Sequence, residues 1–479
     1  MHPVISKVDR LSAKQNIIFL SSNLKKIPKD YFSAEEIKFI NEQKNKLKKE
    51  LICFNRLSHQ VYMQFIKEEN DIYTRLENCR KAGDSVASAI NDQKFSEIII
   101  DDVDGMAAET LAFSEGIALG NYQFLKYKKD NGKNNSLKNI GIFSKKITVK
   151  QIKELSIIVD AVYRCRTFIN EPFSSLNTPV FARELKKLAI QSGVKIEVMN
   201  KKKIETLKMG GILAVNKASN EPPVFVVMEW NPSGAVNKKP YVFVGKGIVY
   251  DSGGMNLKPG DTMTNMKDDM SGAAAVASAI YAISMAKLPV HVVGLIPVTD
   301  NKIGPDATMP GDIIRMHNGM TVEVVDTDAE GRLILADALS YASKYKPELV
   351  IDLATLTGAA VRAIGKFGIV AMQVKAGQEF NLLSQSGRQV YERLVEFPTG
   401  DEYAELMKSD IADLKNLGPG EAGAITAGKF LEKFTDYPYI HLDIAGPAFL
   451  EKRDSYRGQG GTGVGVRLLF DFIKRKIKY

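Results

Sequence analysis

YVFVGKGIVYDSGG (241–254) decides the reading of this chain. It opens as a near-continuous apolar run, as in a strand covered on both faces, and closes on Asp-Ser-Gly-Gly, where a strand turns. Working outward, KIEVM (195–199), VFVVMEW (224–230), VHVVGLIPV (290–298) and ELVIDLATL (348–356) read as further strands. Stretches with helical spacing of apolar residues separate many of them, at 179–193, 270–287 and 333–345. Covered strands alternating with helices predict an α/β sandwich.

Upstream, strand-like runs also alternate with helical ones through about residue 150. FSEIII (95–100) predicts a strand, 106–120 a helix, and the polar KKDNGKNNSLKN (128–139) a surface loop or hairpin. Helical spacing over 148–169 predicts a helix that connects two domains. The expected division is an N-terminal α/β domain at 1–150, a connecting helix at 151–170 and a C-terminal domain at 171–479.

A chain of 479 residues is long enough for two cores. With 44% hydrophobic and 25% charged residues, it has the composition of a folded globular protein. Cys53, Cys79 and Cys165 lie far apart without Cys-x-x-Cys spacing, which argues against a disulfide framework or a thiolate metal site. The opening MHPVISKVDRLSAKQNIIFL has charges scattered through it, and the Ala-, Ser- and Gly-rich stretch 270–287 is short for a spanning helix. No membrane segment and a cytoplasmic location are therefore expected. The net charge of +9 comes from lysine runs such as 44–49 and 201–203. These lack interleaved aromatics, so a solvated basic face is the expectation, and DNA contact by the basic N-terminal part is the alternative.

Two segments concentrate charged residues where apolar strands end, the usual place for sites in α/β sheets. The first, 244–275, carries Lys246, Asp251, Lys258, Asp268 and Asp269; the second, VEVVDTDAEGRLILADAL (322–339), carries Asp326, Asp328, Glu330 and Arg332. In extended backbone, Asp328 and Glu330 point to the same side. Any one of these acids is explained by salt bridging or loop capping. Together, Asp251, Asp269, Asp328 and Glu330 repel one another unless cations neutralise them, and two divalent ions supply the matching charge. Oxygen-rich ligation suits Mg, Mn or Zn, and ions about 3.5–4 Å apart can share and activate a bridging water.

GKGIVYDSGG (245–254), MKDDMSGAAA (266–275) and DTDAEGRL (326–333) resemble the three signature stretches of the leucyl aminopeptidase family. FINEPFSSLNTP (168–179), LATLTGA (353–359), SDIADLKNLG (409–418) and HLDIAGPAF (441–449) extend the resemblance over the C-terminal two-thirds. The resemblance implies metal ligands at Lys246, Asp251, Asp269, Asp328 and Glu330, with Asp251 and Glu330 bridging two ions (Zn or Mn, with Mg or Co as alternatives). Lys246 and Asp269 would complete the tighter site, and Asp328 the more exchangeable one. Lys246 ligates only as a neutral amine. Lys258 is implied to polarise the scissile carbonyl, and Arg332 to hold a bicarbonate that acts as general base. Met266, Thr355, Gly358 and Ala445 are implied to line the pocket for the N-terminal side chain.

The same resemblance implies a smaller N-terminal α/β domain, a larger C-terminal α/β/α catalytic domain with a central mixed sheet, and a homohexamer. The implied reaction is attack of a metal-bridging hydroxide on the first peptide bond of short peptides. Leucine and other hydrophobic N-terminal residues would be preferred, and a Cys-Gly dipeptidase role is also implied. Two departures stand out: Asp326 replaces the family's usual Asn, and Asp268 sits beside Asp269. In an extended segment Asp268 would point away from the metals, so it is left out of the site.

Rival motifs fail on context. Gly423-x4-Gly428-Lys429 imitates a phosphate-binding loop but has Phe430 in place of Ser or Thr and falls in a predicted helix. Gly458-x-Gly460-x-x-Gly463 follows RDSYR rather than a hydrophobic strand. His2, His59, His291, His317 and His441 form no H-E-x-x-H pair, and no G-x-S-x-G nucleophile is present. A catalytically dead structural member is argued against by the presence of all the implied ligands with Lys258 and Arg332.

Overall fold

The computed structural model describes residues 2–12, 14–129 and 134–477, so part of the polar stretch at 128–139 lies outside the described residues. The chain forms two compact units, Met1–Tyr163 with Lys452–Gly458, and Arg164–Glu451 with Gln459–Tyr479. Each is built on a sheet flanked by helices.

In the first unit a six-stranded sheet runs in the order Val4–Lys7, Asn139–Phe143, Glu97–Asp102, Ile17–Ser21, Gln60–Phe65, Leu51–Asn55. Neighbours are parallel except for the last pair. The predicted strand at 95–100 and helix at 106–120 correspond to Glu97–Asp102 and Ala107–Gly120. The helix Val149–Asn170 spans the change of unit, which falls between Tyr163 and Arg164. One segment departs from the expected division: Lys452–Gly458 belongs with the first unit. There the buried Glu77 accepts hydrogen bonds from the Tyr456 hydroxyl (2.7 Å) and Arg457 (2.8 Å), and Arg453 pairs with Asp84. A buried carboxylate demands such partners, which draws this late segment back.

In the second unit a nine-stranded mixed sheet follows the order Leu394–Glu396, Ile369–Val374, Tyr439–Asp443, Leu349–Ala354, Tyr241–Gly245, Val292–Asn301, Val224–Trp230, Lys195–Met199, with Gly247–Asp251 paired to Val292–Asn301. Its central strands Tyr439–Asp443, Leu349–Ala354, Tyr241–Gly245 and Val292–Asn301 are mutually parallel. Alternate residues face opposite layers. Val242, Val244, Val293 and Leu295 pack in one core with Leu335 and Leu339 of the helix Gly331–Ala342. Gly294, on the other face, lies against Ile280 and Val276 of the helix Ser271–Met285. This is the predicted α/β/α layering with a mixed central sheet.

Ser271–Met285 is buried along almost its whole length, as its small residues allow. A Cβ on Gly272 would lie 1.9 Å from the Leu353 carbonyl oxygen, so only glycine lets the helix start this close to the strand ends. Among the described residues no helix is long and apolar enough to cross a membrane. The phosphate-loop imitation lies inside the helix Gly423–Glu432, where the buried Lys429 pairs with Glu432 at 2.6 Å.

Candidate metal centre

Three parallel strands end at one place. Lys246 sits in the break between Tyr241–Gly245 and Gly247–Asp251, its backbone N–H bonded to Leu353 O (3.0 Å) and its carbonyl accepting from Ala273 N (2.9 Å). Those bonds aim its side chain past the carboxyl edge of the sheet. A Cβ on Gly331 would stand 2.3 Å from Lys246 Cε, so the glycine that begins the helix Gly331–Ala342 makes room for the amine. Asp251 ends its strand, and its Oδ1 is fixed by Gly253 N–H and Asn301 Nδ2, both at 2.9 Å.

Two lysines interleave four carboxylates. Lys246 Nζ lies 2.7 Å from Asp269 Oδ1 and 2.9 Å from Glu330 Oε1. Lys258 Nζ lies 2.8 Å from Asp251 Oδ2 and 2.5 Å from Asp328 Oδ1. One oxygen each from Asp251, Asp328 and Glu330 falls within 4.8 Å of the others. Lys246, Asp251, Asp269, Glu330 and Arg332 are buried, while Asp328 and Lys258 keep some exposure.

Electrostatics mark this cluster as short of positive charge. Burial and the neighbouring acids Asp251 and Glu330 push the Asp328 carboxyl up to about 7. Burial, then Asp251, raises Glu330; burial, with Glu330 and Asp251 adding to it, raises Asp269 well above the carboxylate range even beside Lys246. Burial opposes charge on Lys246, but Asp269, Glu330 and Asp251 outweigh it and hold its pKa above that of an ordinary lysine. Burial lowers Arg332 to about 10. Asp269 Oδ2, Glu330 Oε2 and Arg332 Nε are buried with no hydrogen-bond partner among the described residues. Carboxylates converging from three chain segments, with buried orphan oxygens on Asp269 and Glu330, fit hard or borderline divalent cations.

The backbone around the acids differs from the expectation of extended chain. Asp328 lies in a turn closed by Asp328 N–H donating to Asp326 Oδ1 at 2.8 Å, and Glu330 is already helical at φ −78° and ψ −37°. The two carboxylates therefore meet through a turn, not through strand periodicity. Likewise Met266–Asp268 is a 3-10 turn, so the alternation used to set Asp268 aside does not apply, and its carboxyl is pushed up to about 7 by burial.

The four residues expected around a side-chain pocket lie in turns and at the starts of short helices. Thr355 is tied directly to the cluster: its carbonyl accepts from Lys246 Nζ and its hydroxyl donates to Asp269 Oδ1, both at 2.9 Å. Gly358 is exposed at the start of Gly358–Ile364, Ala445 starts Ala445–Ala448, and Met266 is half-buried. Sequence reasoning missed what ties these loops together. Asp443 accepts from Leu356 N (3.2 Å), Ala445 N (3.1 Å) and the Thr357 hydroxyl (2.7 Å). Thr327 bonds Gly253 O (2.6 Å) and Asn256, and Asn301 Nδ2 also reaches Thr327 O (3.0 Å). A carboxylate that closes a buried strand, as Asp443 does in Tyr439–Asp443, was the available signal.

Residues 163–470 match the catalytic domain of the cytosol aminopeptidase family. A probable cytosol aminopeptidase from Geobacter sulfurreducens is 43% identical over 372 residues, 76% of this chain and 74% of its own. One from Desulfotalea psychrophila is 38% identical over 458 residues, 92% of this chain and 90% of its own. Among solved structures, a variant of tomato leucine aminopeptidase is similar with a TM-score of 0.86 at 27% identity, over 99% of this chain and 96% of that one. The bottromycin maturation enzyme BotP in complex with Mn is similar with a TM-score of 0.85 at 26% identity, over 97% and 100%. The buried carboxylate cluster lies wholly inside the matched residues, and the chain belongs to the cytosol aminopeptidase family.

Proposed function

We propose that this peptidase is a two-metal leucyl aminopeptidase that removes hydrophobic N-terminal residues from short peptides. The observation that carries the reading is the set of buried orphan oxygens, Asp269 Oδ2 and Glu330 Oε2, inside a cluster with Asp251 and Asp328. Lys246, Asp269, Asp251 and Glu330 would hold one ion, and Asp328 with the shared Asp251 and Glu330 the other. When bound, the ions (Zn or Mn, with Mg or Co as alternatives) lower the pKa of water, polarise the peptide carbonyl and anchor the substrate's free amine.

The two lysines occupy the places between carboxylates where cations belong. Lys246 would shed its proton as ions take over its acidic partners and stay as a neutral amine ligand. Lys258, released from Asp251 and Asp328, would donate to the carbonyl oxygen as negative charge develops there. Arg332, whose buried Nε has no partner among the described residues, would hold a bicarbonate that takes up the water's proton. Gly358 leaves space beside the site, since a Cβ there would meet only Arg362 at 3.3 Å, which suits an apolar side chain flanked by Met266, Thr355 and Ala445. Hydrolysis of Cys-Gly, a cytoplasmic location and a homohexamer belong to the same reading.

Purified protein is assayed on a leucine anilide as isolated, after chelation, and after adding back manganese, zinc or cobalt. Activity is expected to vanish with the chelator and return with metal. No activity with any of the metals, across several N-terminal residues, would defeat the reading.

A further inference from the structure

The loop 325–329 that presents Asp328 is held at Thr327 by Asn256, Asn301 and Gly253 O. The backbone on either side of Asp328, at 325–326 and at 329, is held by one residue from a more distant segment. Asn416 follows the short strand Leu414–Lys415, which pairs with Thr321–Glu323, and its own N–H extends the pairing to Glu323 O at 2.9 Å. Its side-chain Oδ1 accepts from Val325 N–H (2.8 Å) and Asp326 N–H (3.3 Å). Its Nδ2 donates to Asp326 O (2.6 Å) and reaches Ala329 O at 3.5 Å. Its carbonyl accepts from Arg332 Nη1 at 2.8 Å. Asn416 is fully buried.

One amide thus clamps the backbone on both sides of Asp328 while the same residue's carbonyl orients Arg332. Only a side chain with a donor and an acceptor at amide spacing serves both N–H and C=O groups of the loop. We propose that Asn416 is a positioning residue for the metal centre, fixing the loop that carries Asp328 together with Arg332. The proposal rests on the two-metal reading. Its action would fall on the more exchangeable ion, because Asp328 is the ligand inside the clamped loop, whereas Lys246 and Asp269 are held by other segments.

Wild-type, Asn416→Ala and Asn416→Asp proteins are stripped of metal and titrated with Mn²⁺ by calorimetry, with circular dichroism and kcat and KM recorded in parallel. Wild type is expected to show a tighter and a weaker binding event. Asn416→Ala should keep the wild-type spectrum while the weaker event loses roughly 10–100-fold in affinity, kcat falls by a similar factor and KM changes little. Asn416→Asp keeps the acceptor for Val325 N–H but loses the donor to Asp326 O, and should fall between the two. A lowered melting temperature with unchanged Mn²⁺ affinity in the folded protein would overturn the proposal, because that is what a merely structural residue does. If Asn416→Ala fails to fold, the near-isosteric Asn416→Asp decides by the same affinity. A wild-type protein that takes up no Mn²⁺ is a separate failure: it would overturn the two-metal reading and this proposal with it.

Discussion

Glu330→Ala is expected to lower kcat/KM by roughly 10³-fold or more: on the proposed two-metal reading Glu330 would be shared by both ions, and several kcal/mol of transition-state stabilisation would depend on them. Glu330 is 2% exposed, one oxygen 2.9 Å from Lys246 and the other without a hydrogen-bond partner among the described residues. Burial and Asp251 raise its pKa, so in the absence of ions its charge is a burden on the folded protein. Removing it should leave the melting temperature of metal-stripped protein unchanged or slightly higher. The stabilisation that metal confers on wild type, about 2.7 kcal/mol at one hundred times the dissociation constant, should shrink. Thermal melts with and without Mn²⁺, beside the rate measurement, check both parts. A variant that loses stability without metal and keeps its metal response would mean that Glu330 is a structural acid.

Lys258→Met is the second large effect, expected to lower kcat by roughly 10²–10³-fold, the range for removing one donor from an oxyanion. Methionine keeps the apolar stem and length and deletes the cation. Lys258 Nζ lies between Asp251 and Asp328, in a position that competes with a divalent ion for the same oxygens. Metal affinity should therefore stay the same or tighten while the rate collapses, the opposite pairing to Glu330→Ala. Lys258→Arg should not restore the rate, since a planar guanidinium cannot aim one donor as a compact ammonium does. Steady-state kinetics on a leucine anilide and calorimetry on the same samples distinguish these outcomes; a drop in both affinity and rate would place Lys258 in the support of the ions instead.

Local signals explain why much of the architecture was readable. The small-residue run at 270–287 and the doubly apolar strand around Val242 carry their burial in their own composition, and the structure has Ser271–Met285 and Tyr241–Gly245 there. The candidate site was readable through clustered acids at strand ends. What the sequence hid depends on contacts between distant residues. The turn at Asp328 is set partly by Asp326, two positions away, but also by Asn416, about ninety positions on, and no periodicity reports such a partner. The return of Lys452–Gly458 to the first unit depends likewise on the buried Glu77, far earlier in the chain. Thr355 is an expected pocket residue through the resemblance of 353–359 alone; its bonds to Lys246 and Asp269 emerge only when two strand ends meet.

The central claim is that these carboxylates hold two divalent ions. Its most direct test is anomalous scattering from crystals grown or soaked with Mn²⁺. Two peaks are predicted, about 3.5–4 Å apart, one beside Lys246 and Asp269 and the other beside Asp328, with Asp251 and Glu330 touching both. A single peak, none, or peaks away from these side chains would contradict the account.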